Sequence, residues 1–401
     1  MRAMTEVRGW RNSPGAARPE LEINLCCGRA VIDPAATERV RLLIRNGLNW
    51  PDVVANAERH RLSPIVYEII TRTAQDLISP AQLNVIRGAA APSTFVGMAL
   101  VWELLHLHRL FEAAQILVIP YKGPVLGWVA YGSFIRREYS DLDFAVEQKY
   151  IPDVVAVLKS EGYHPQFDPR EAHAGHDRSA PGQYSFLSHP HKILAEFHTE
   201  RTLRYFPIPI NFQDLTSRLM TVEIGEQRLR TFSIEDTLVM LCVHGAKHFW
   251  ERLGWVLDIA KLATGQEVDW TLVTQIAAKM ESTRVLRLGL YLSHDLFGAP
   301  LPEQLLEEIR RDRTVQELAE KVYDQYAGIA DPGAGVLHRA AFRFRLRDGI
   351  GQGLRHTLRL ALIPTESDRQ IVRLPRWLTP LYVLVRPWRL LREYGSGLKR
   401  R

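Results

Sequence analysis

The segment Ser140-Asp141-Leu142-Asp143-Phe144-Ala145-Val146 constrains this chain most tightly. Side chains on an extended strand alternate between its faces, so Asp141 and Asp143 point one way while Leu142, Phe144 and Val146 point the other. One face belongs to a core and the opposite face is acidic. Two like carboxylates held side by side raise each other's pKa unless a cation lies between them, and a divalent metal is the simplest such cation. Oxygen-only ligation favours Mg²⁺ or Mn²⁺ over Zn²⁺, and Mg²⁺ usually keeps one or two protein carboxylates and completes its shell with water and substrate phosphates. Glu196 stands on a second strand-like run, where Leu194, Glu196 and His198 share a face opposite Ile193, Ala195 and Phe197. It offers a third carboxylate, and three carboxylates sharing two ions suit phosphoryl or nucleotidyl transfer. If the acids mainly repel, replacing Asp143 with Asn should leave the fold at least as stable.

Asp-x-Asp alone is common at solvent-facing turns, so its flanks decide how much it means. They comprise Lys122-Gly123, Arg137 four residues before Asp141, and Glu196-Phe197-His198 downstream. With these residues the chain resembles the uncharacterised bacterial nucleotidyltransferases of the DNA polymerase β-like nucleotidyltransferase superfamily. The resemblance continues through Trp50-Pro51-Asp52, His60-Arg61-Leu62-Ser63-Pro64, the run from His244 to Trp250, and Leu257-Asp258-Ile259-Ala260. It implies an α+β fold: a polymerase β-like nucleotidyltransferase core, a small mixed sheet with helices, flanked by N-terminal and C-terminal helical regions. It also implies transfer of an NMP group from an NTP donor to an acceptor, with pyrophosphate released. Asp141, Asp143 and Glu196 would then be the catalytic residues and the ligands of Mg²⁺ or Mn²⁺. Lys122, Gly123 and Arg137 would bind the triphosphate, with Lys247 and His248, on a helix beside the nucleotide cleft, contacting phosphate or substrate. The wider superfamily has Gly-Ser in its phosphate turn, and Gly132-Ser133 competes for that place here. Lys122-Gly123 is preferred because it follows the apolar run 116–120 and precedes a helix expected over 124–131, whereas Gly132-Ser133 falls in a connection.

Several residues invite other readings. Arg136 offers the same bidentate chemistry as its neighbour Arg137. His244 and His248 share one helix face, but the intervening Gly-Ala-Lys lacks the Glu of a zinc protease motif. Asp258 lies in an otherwise apolar helix and needs a partner if buried, with Arg252 and Lys261 available in sequence.

Apolar residues make up 46% of the 401, which fits a globular chain. Cys26, Cys27 and Cys242 give neither a paired framework nor a Cys-x-x-Cys site, as expected of a reducing cytoplasm. The first nineteen residues have no apolar core of a secretory signal. The net charge of +6 is uneven: residues 339–401 carry fifteen Lys and Arg against four Asp and Glu, a net of +11, leaving residues 1–338 at −5. A slightly acidic body argues against nucleic acid as a partner. The acceptor is open among a small molecule, a saccharide, a peptide and a protein. The basic tail, with the aromatic and apolar run 377–391, suits an anionic membrane at the inner face or packing onto its own core. A second function class follows from that tail, a non-catalytic or membrane-associated accessory keeping the same fold.

Along the chain, the pattern divides into a tail (1–34), an N-terminal helical region (35–112), a catalytic segment of short apolar runs and turns (113–232), a C-terminal helical region (233–330) and the basic tail (331–401). Ser233 and Asp236 form the signature of a capped helix start. The polar stretch 168–182 reads as a loop, either a substrate lid or a surface insertion.

Overall fold

The computed structural model describes residues 18–167, 182–189, 192–199, 211–328 and 336–362, together with 381–382, 384–386 and 388–389. The expected loop 168–182, apart from Gly182, and most of the run 377–391 lie outside the described residues.

The chain opens with helices α1 (Pro19–Cys27), α2 (Pro34–Arg45), α3 (Trp50–His60), α4 (Ser63–Ala74) and α5 (Pro80–Ala113). Each has Pro at one of its first two positions, where the missing N–H costs no helical hydrogen bond. Asp33 caps α2 by accepting from the Ala36 amide at 2.7 Å, and Ser79 with Gln82 forms a reciprocal capping box on α5. Helix α1 falls within the stretch read as a tail. Its Leu21 and Ile23 are fully buried, which explains why it is ordered into the body.

The middle of the chain contains β1 (Ile119–Pro120), α6 (Gly123–Tyr131), β2 (Asp141–Ala145), α7 (Ile151–Ser160), β3 (Tyr163–Pro165), β4 (Gln183–Ser188), β5 (Leu194–His198), α8 (Phe212–Thr216) and the hairpin β6 (Met220–Ile224) with β7 (Gln227–Thr231). One mixed sheet has the order β1-β2-β5-β4-β3, in which β2 and β5 are parallel and the other neighbours antiparallel. Its apolar face packs on the C-terminal half of α5. Phe144 and Phe197 stack at 4.9 Å, and Phe111 of α5 meets both edge-on at 6.3 and 5.7 Å. Buried aromatic contacts of this kind contribute beyond their area and fix the sheet's position on the helix.

Helices then run to the end of the body: α9 (Ile234–Lys247), α10 (Leu253–Gly265), α11 (Trp270–Lys279), α12 (Thr283–Phe297), α13 (Glu303–Arg311), α14 (Arg313–Tyr326), α15 (Val336–Arg345) and α16 (Ile350–Leu362). Ser233 caps α9 by accepting from the Asp236 amide at 3.1 Å. The N-terminal and C-terminal helices share one core, in which Leu21, Val53, Ile70, Leu238, Val256, Leu288 and Leu318 are all fully buried. The two helical regions are therefore one packed body, with the sheet set on its side. Among the described residues one helix, α5, is long and apolar enough to cross a membrane by length and composition.

His60 joins the two halves of this body. It is fully buried, its Nδ1 accepts from the Leu253 amide at 3.4 Å, and its ring meets Tyr326 edge-on at 5.4 Å. Burial, reinforced by Arg59, Arg18 and Arg252, pushes its pKa down to about 3. An unfolded histidine titrates near 6.5. The unfolded chain thus takes up the proton first, and stability falls as pH drops from about 6.5 to about 3, by up to about 1.4 kcal/mol per pH unit for this one group. We expect urea midpoints to fall more steeply between about pH 7 and pH 5 in the wild type than in His60→Gln. Equal slopes would show that His60 is not a buried neutral base.

Candidate active site

The parallel register of β2 and β5 builds the site. Asp143 lies opposite Glu196, Asp141 opposite Leu194 and Ala145 opposite His198, so the acidic faces of two strands become one surface. On the far side of β5, Ser185 pairs with Glu196 and Gln183 with His198. Gln183 Nε2 and the Ser185 hydroxyl donate to the Glu196 carboxylate at 2.8 and 3.3 Å, fixing its rotamer. His198 Nε2 lies 3.0 Å from Asp143 Oδ1 and 3.7 Å from Glu196 Oε2. One ligand atom each from Asp143, Glu196 and His198 falls within 4.8 Å of the others, a spacing that can hold a metal ion. Asp141 lines the same cavity one face-step along β2, outside this tight group. The imidazole was not among the expected ligands. Its signal was present in the sequence, since His198 shares the face of Glu196.

Asp143 departs from the repulsion picture. Lys122 Nζ donates to its Oδ1 at 3.1 Å, and both side chains are nearly buried, at 11% and 7% exposed. Burial alone would raise the Asp143 pKa, but Lys122 and His198 outweigh it and hold the carboxyl well below the usual carboxylate range. Asp141 moves the opposite way, raised by burial and then by the Asp143 charge. The acids do not raise each other mutually, because a lysine ammonium compensates one of them.

Lys122 reaches this position because the chain leaves β1 and turns at once into α6. Gly123 has φ +54°, and a Cβ there would lie 3.0 Å from the Asp141 carbonyl oxygen. Only glycine gives both the left-handed backbone and the close approach. Gly132, also at positive φ, ends α6, and together with Ser133 it lines a different pocket bordered by Tyr67, Glu68 and Arg136. Arg137 sits behind the turn. Its Nε and Nη2 donate to the two Asp258 oxygens at 2.8 and 2.9 Å, and the Tyr131 hydroxyl donates to Asp258 Oδ1 at 2.8 Å. Neither Arg252 nor Lys261 serves Asp258, whose partners come from α6 and the loop after it. Lys261 donates instead to the Arg29 and Ala30 carbonyls. Arg137 thereby ties the Lys122-Gly123 turn to α10.

The wall opposite the sheet comes from the end of α9 and the start of α10. His244 and His248 lie 4.8 Å apart, and each ring is 5.1 Å from Trp255. Burial lowers both, followed by Lys122 for His244 and by Lys247 for His248, and His248 falls to about 4. Both rings are neutral at physiological pH. Phe249 and Trp250 then adopt φ +55° and +54°, rare for such bulky side chains. The pair is held by the Trp250 amide donating to the Gly245 carbonyl at 2.8 Å and by the Tyr326 hydroxyl on the Trp250 carbonyl at 2.6 Å. The indole fills the space beside Gly245, where a Cβ would lie 2.2 Å from it. The run from His244 to Trp250 is thus a backbone device that aims Lys247 and His248 at the sheet. The resulting cavity, about 300 Å³, is lined by Lys122, Gly123, Asp141, Asp143, Glu196 and Lys247 among others.

These features define a cleft with an acidic floor and a basic, aromatic wall, suited to a polyanionic ligand carried with a cation. The model of the family described as "Uncharacterised nucleotidyltransferase" matches residues 46–298, and the chain belongs to that family. No curated protein and no solved structure matches it. The matched stretch includes every residue of the cleft named above.

Two substitutions separate structure from repulsion. Asp258→Asn leaves the nearly buried Arg137 without its counter-charge and should cost about 3–5 kcal/mol in denaturant unfolding. Asp143→Asn keeps an acceptor for Lys122 and His198 while losing the charge, and should cost about 1–3 kcal/mol without added metal. An Asp143→Asn protein more stable than wild type would restore the repulsion picture.

Proposed function

We propose that the protein is a divalent-metal-dependent nucleotidyltransferase with a polymerase β-like core, joining the NMP group of an NTP to an acceptor and releasing pyrophosphate. The observation that carries this reading is the alignment of Asp143, Glu196 and His198 across the β2–β5 pair beside Lys122, inside the one cleft that also contains Asp141 and Lys247. The donor set fits a divalent cation, since two carboxylates and an imidazole converge with their remaining hydrogen bonds supplied by Gln183 and Ser185. Asp143, Glu196 and His198 would hold Mg²⁺ or Mn²⁺, with Asp141 facing the same space, and the ion would neutralise charge on the triphosphate.

The chain's own residues position the reactants. Lys122 and the Gly123 amide meet the triphosphate at the β1–α6 turn, and Lys247 approaches it from α9. Arg137 acts at one remove by holding that turn against Asp258. As the acceptor oxygen bonds to the α-phosphorus, the bridging oxygen departs with the pyrophosphate, and its negative charge develops toward these cations. Three thiols without disulfides agree with a cytoplasmic location. A screen of the four NTPs with Mg²⁺ or Mn²⁺ for pyrophosphate release should identify a donor. Asp143→Asn and Glu196→Gln should each lower that release at least about a hundredfold, more than loss of an outer partner of a metal ligand does. Release unchanged in either variant would remove that carboxylate from the mechanism.

A specific surface favours peripheral membrane contact by the same protein. On α16, Ile350, Leu354, Leu358 and Leu362 recur at four-residue spacing and are 75%, 54%, 58% and 39% exposed, while Gly353 turns inward against Phe344. An exposed apolar stripe within a segment of net charge +11 matches a helix lying on an anionic lipid surface. Full-length protein should co-sediment with phosphatidylserine vesicles at low salt and be released at about 1 M salt, where the Debye length is about 3 Å. Leu354→Glu with Leu358→Glu should abolish co-sedimentation. Equal sedimentation of wild type and variant would contradict the contact.

A further inference from the structure

Several cations of the cleft stand outside its ion pairs. Lys122 is committed to Asp143, Arg137 to Asp258 and Arg136 to Glu68. Arg61 and Arg252 line the same cavity, and neither forms an ion pair among the described residues. Backbone geometry forces them together. Arg61 ends α3 at φ +60°, and α10 comes so close that a Cβ on Gly254 would lie 2.9 Å from the His60 carbonyl oxygen and 3.2 Å from that of Arg61. The Leu253 amide bonded to His60 Nδ1 closes this contact, so the residues just outside it, Arg61 and Arg252, share one end of the cleft. Trp255 lies under the Arg252 guanidinium, 5.4 Å from its centre.

The nearby acids act on this pair without forming an ion pair with it. Glu138 also lines the cavity, where Arg61 favours its charged form, and its carboxylate accepts from the Ser63 amide at 2.8 Å. Burial and then Arg61 lower the Arg252 pKa, with Glu251, Glu138 and Asp141 opposing less strongly. Lys247 belongs to the other end, where burial and Lys122 lower it and Glu196 and Asp143 oppose. Two guanidiniums carried by adjoining helix ends into one cavity repel each other, an anion between them relieves that repulsion, and their planar forks match phosphate oxygens.

We propose that Arg61 and Arg252 form a second anion subsite, separate from the donor's triphosphate position at Lys122, Gly123 and Lys247, and that the acceptor is a small phosphomonoester held there. This rests on the transferase reading given above. The acceptor's phosphate would dock on the two arginines and present its nucleophilic oxygen toward the carboxylate floor.

Isothermal titration with inorganic phosphate tests the subsite on the full chain. Wild-type protein, saturated with Mn²⁺ and a non-hydrolysable NTP analogue, should still bind phosphate. Arg252→Gln, and Arg61→Asn chosen because Asn tolerates the left-handed backbone, should each weaken phosphate at least tenfold while changing analogue affinity less than threefold. Should Arg61→Asn fail to fold, Arg252→Gln alone decides. Absence of phosphate binding to the loaded wild type, or loss of the analogue in step with phosphate, overturns the proposal. If the analogue never binds, the transferase reading fails, and phosphate titrated into the unloaded protein and the variants still decides the subsite.

Discussion

The parallel pairing of β2 with β5 is the constraint on which the rest of the site depends. Because side chains alternate along a strand, a one-residue slip would turn Asp143 into the core and Phe144 into the cleft. The register is set from the other side, where Phe144 and Phe197 stack on each other and against Phe111 of the long helix. A core of aromatic rings thus dictates where two carboxylates and an imidazole meet. Two of the acids on this surface have fixed partners, Lys122 on Asp143 and Gln183 with Ser185 on Glu196, while burial and the Asp143 charge raise the pKa of the third, Asp141.

The helical body supplies the opposing wall, and one shared core holds its two parts. Residues from before and after the sheet meet at His60 and Leu253, and that contact determines where Arg61, Arg252 and Trp255 stand. The left-handed pair Phe249 and Trp250 terminates α9 at the cleft, and its backbone strain is borne by the buried indole, Gly245 and Tyr326. Arg137 and Asp258 brace the β1–α6 turn against the same helical body. A floor that carries the carboxylates and the imidazole and a wall that carries Lys247, Arg61 and Arg252 are therefore positioned by separate cores, joined through the turn at Lys122-Gly123.

Much of this was legible in the sequence because it rests on local periodicity. The alternation in 140–146 and 193–198 gives the strand faces, and Ser233 with Asp236 gives the start of α9. What escaped depends on long-range pairing. The partner of Asp258 lies 121 residues away in Arg137, beyond any helical spacing that would have suggested it. The Lys122 charge on Asp143 inverts the expected direction of its pKa, since sequence shows two adjacent acids but not the ammonium brought in by a glycine turn. Helix α1 lies in the stretch that reads as tail because the residues up to Pro19 mix Arg and Glu with Gly and Pro, yet its Leu21, Ile23 and Cys27 are fully buried in the shared core. His198 shares the face of Glu196 in the sequence, but carboxylates alone satisfy a hard cation, so local pattern does not single out the imidazole as a ligand.

The central claim is that Asp143, Glu196 and His198 together hold a divalent cation. Electron spin-echo spectroscopy of Mn²⁺ bound to the full-length protein tests it most directly, because a coordinated imidazole nitrogen modulates the manganese echo independently of turnover. The account predicts one bound Mn²⁺ with nitrogen modulation in the wild type, no modulation in His198→Gln, and greatly weakened Mn²⁺ binding in Asp143→Asn. Mn²⁺ bound equally well by wild type and Asp143→Asn, or nitrogen modulation that persists in His198→Gln, would contradict it.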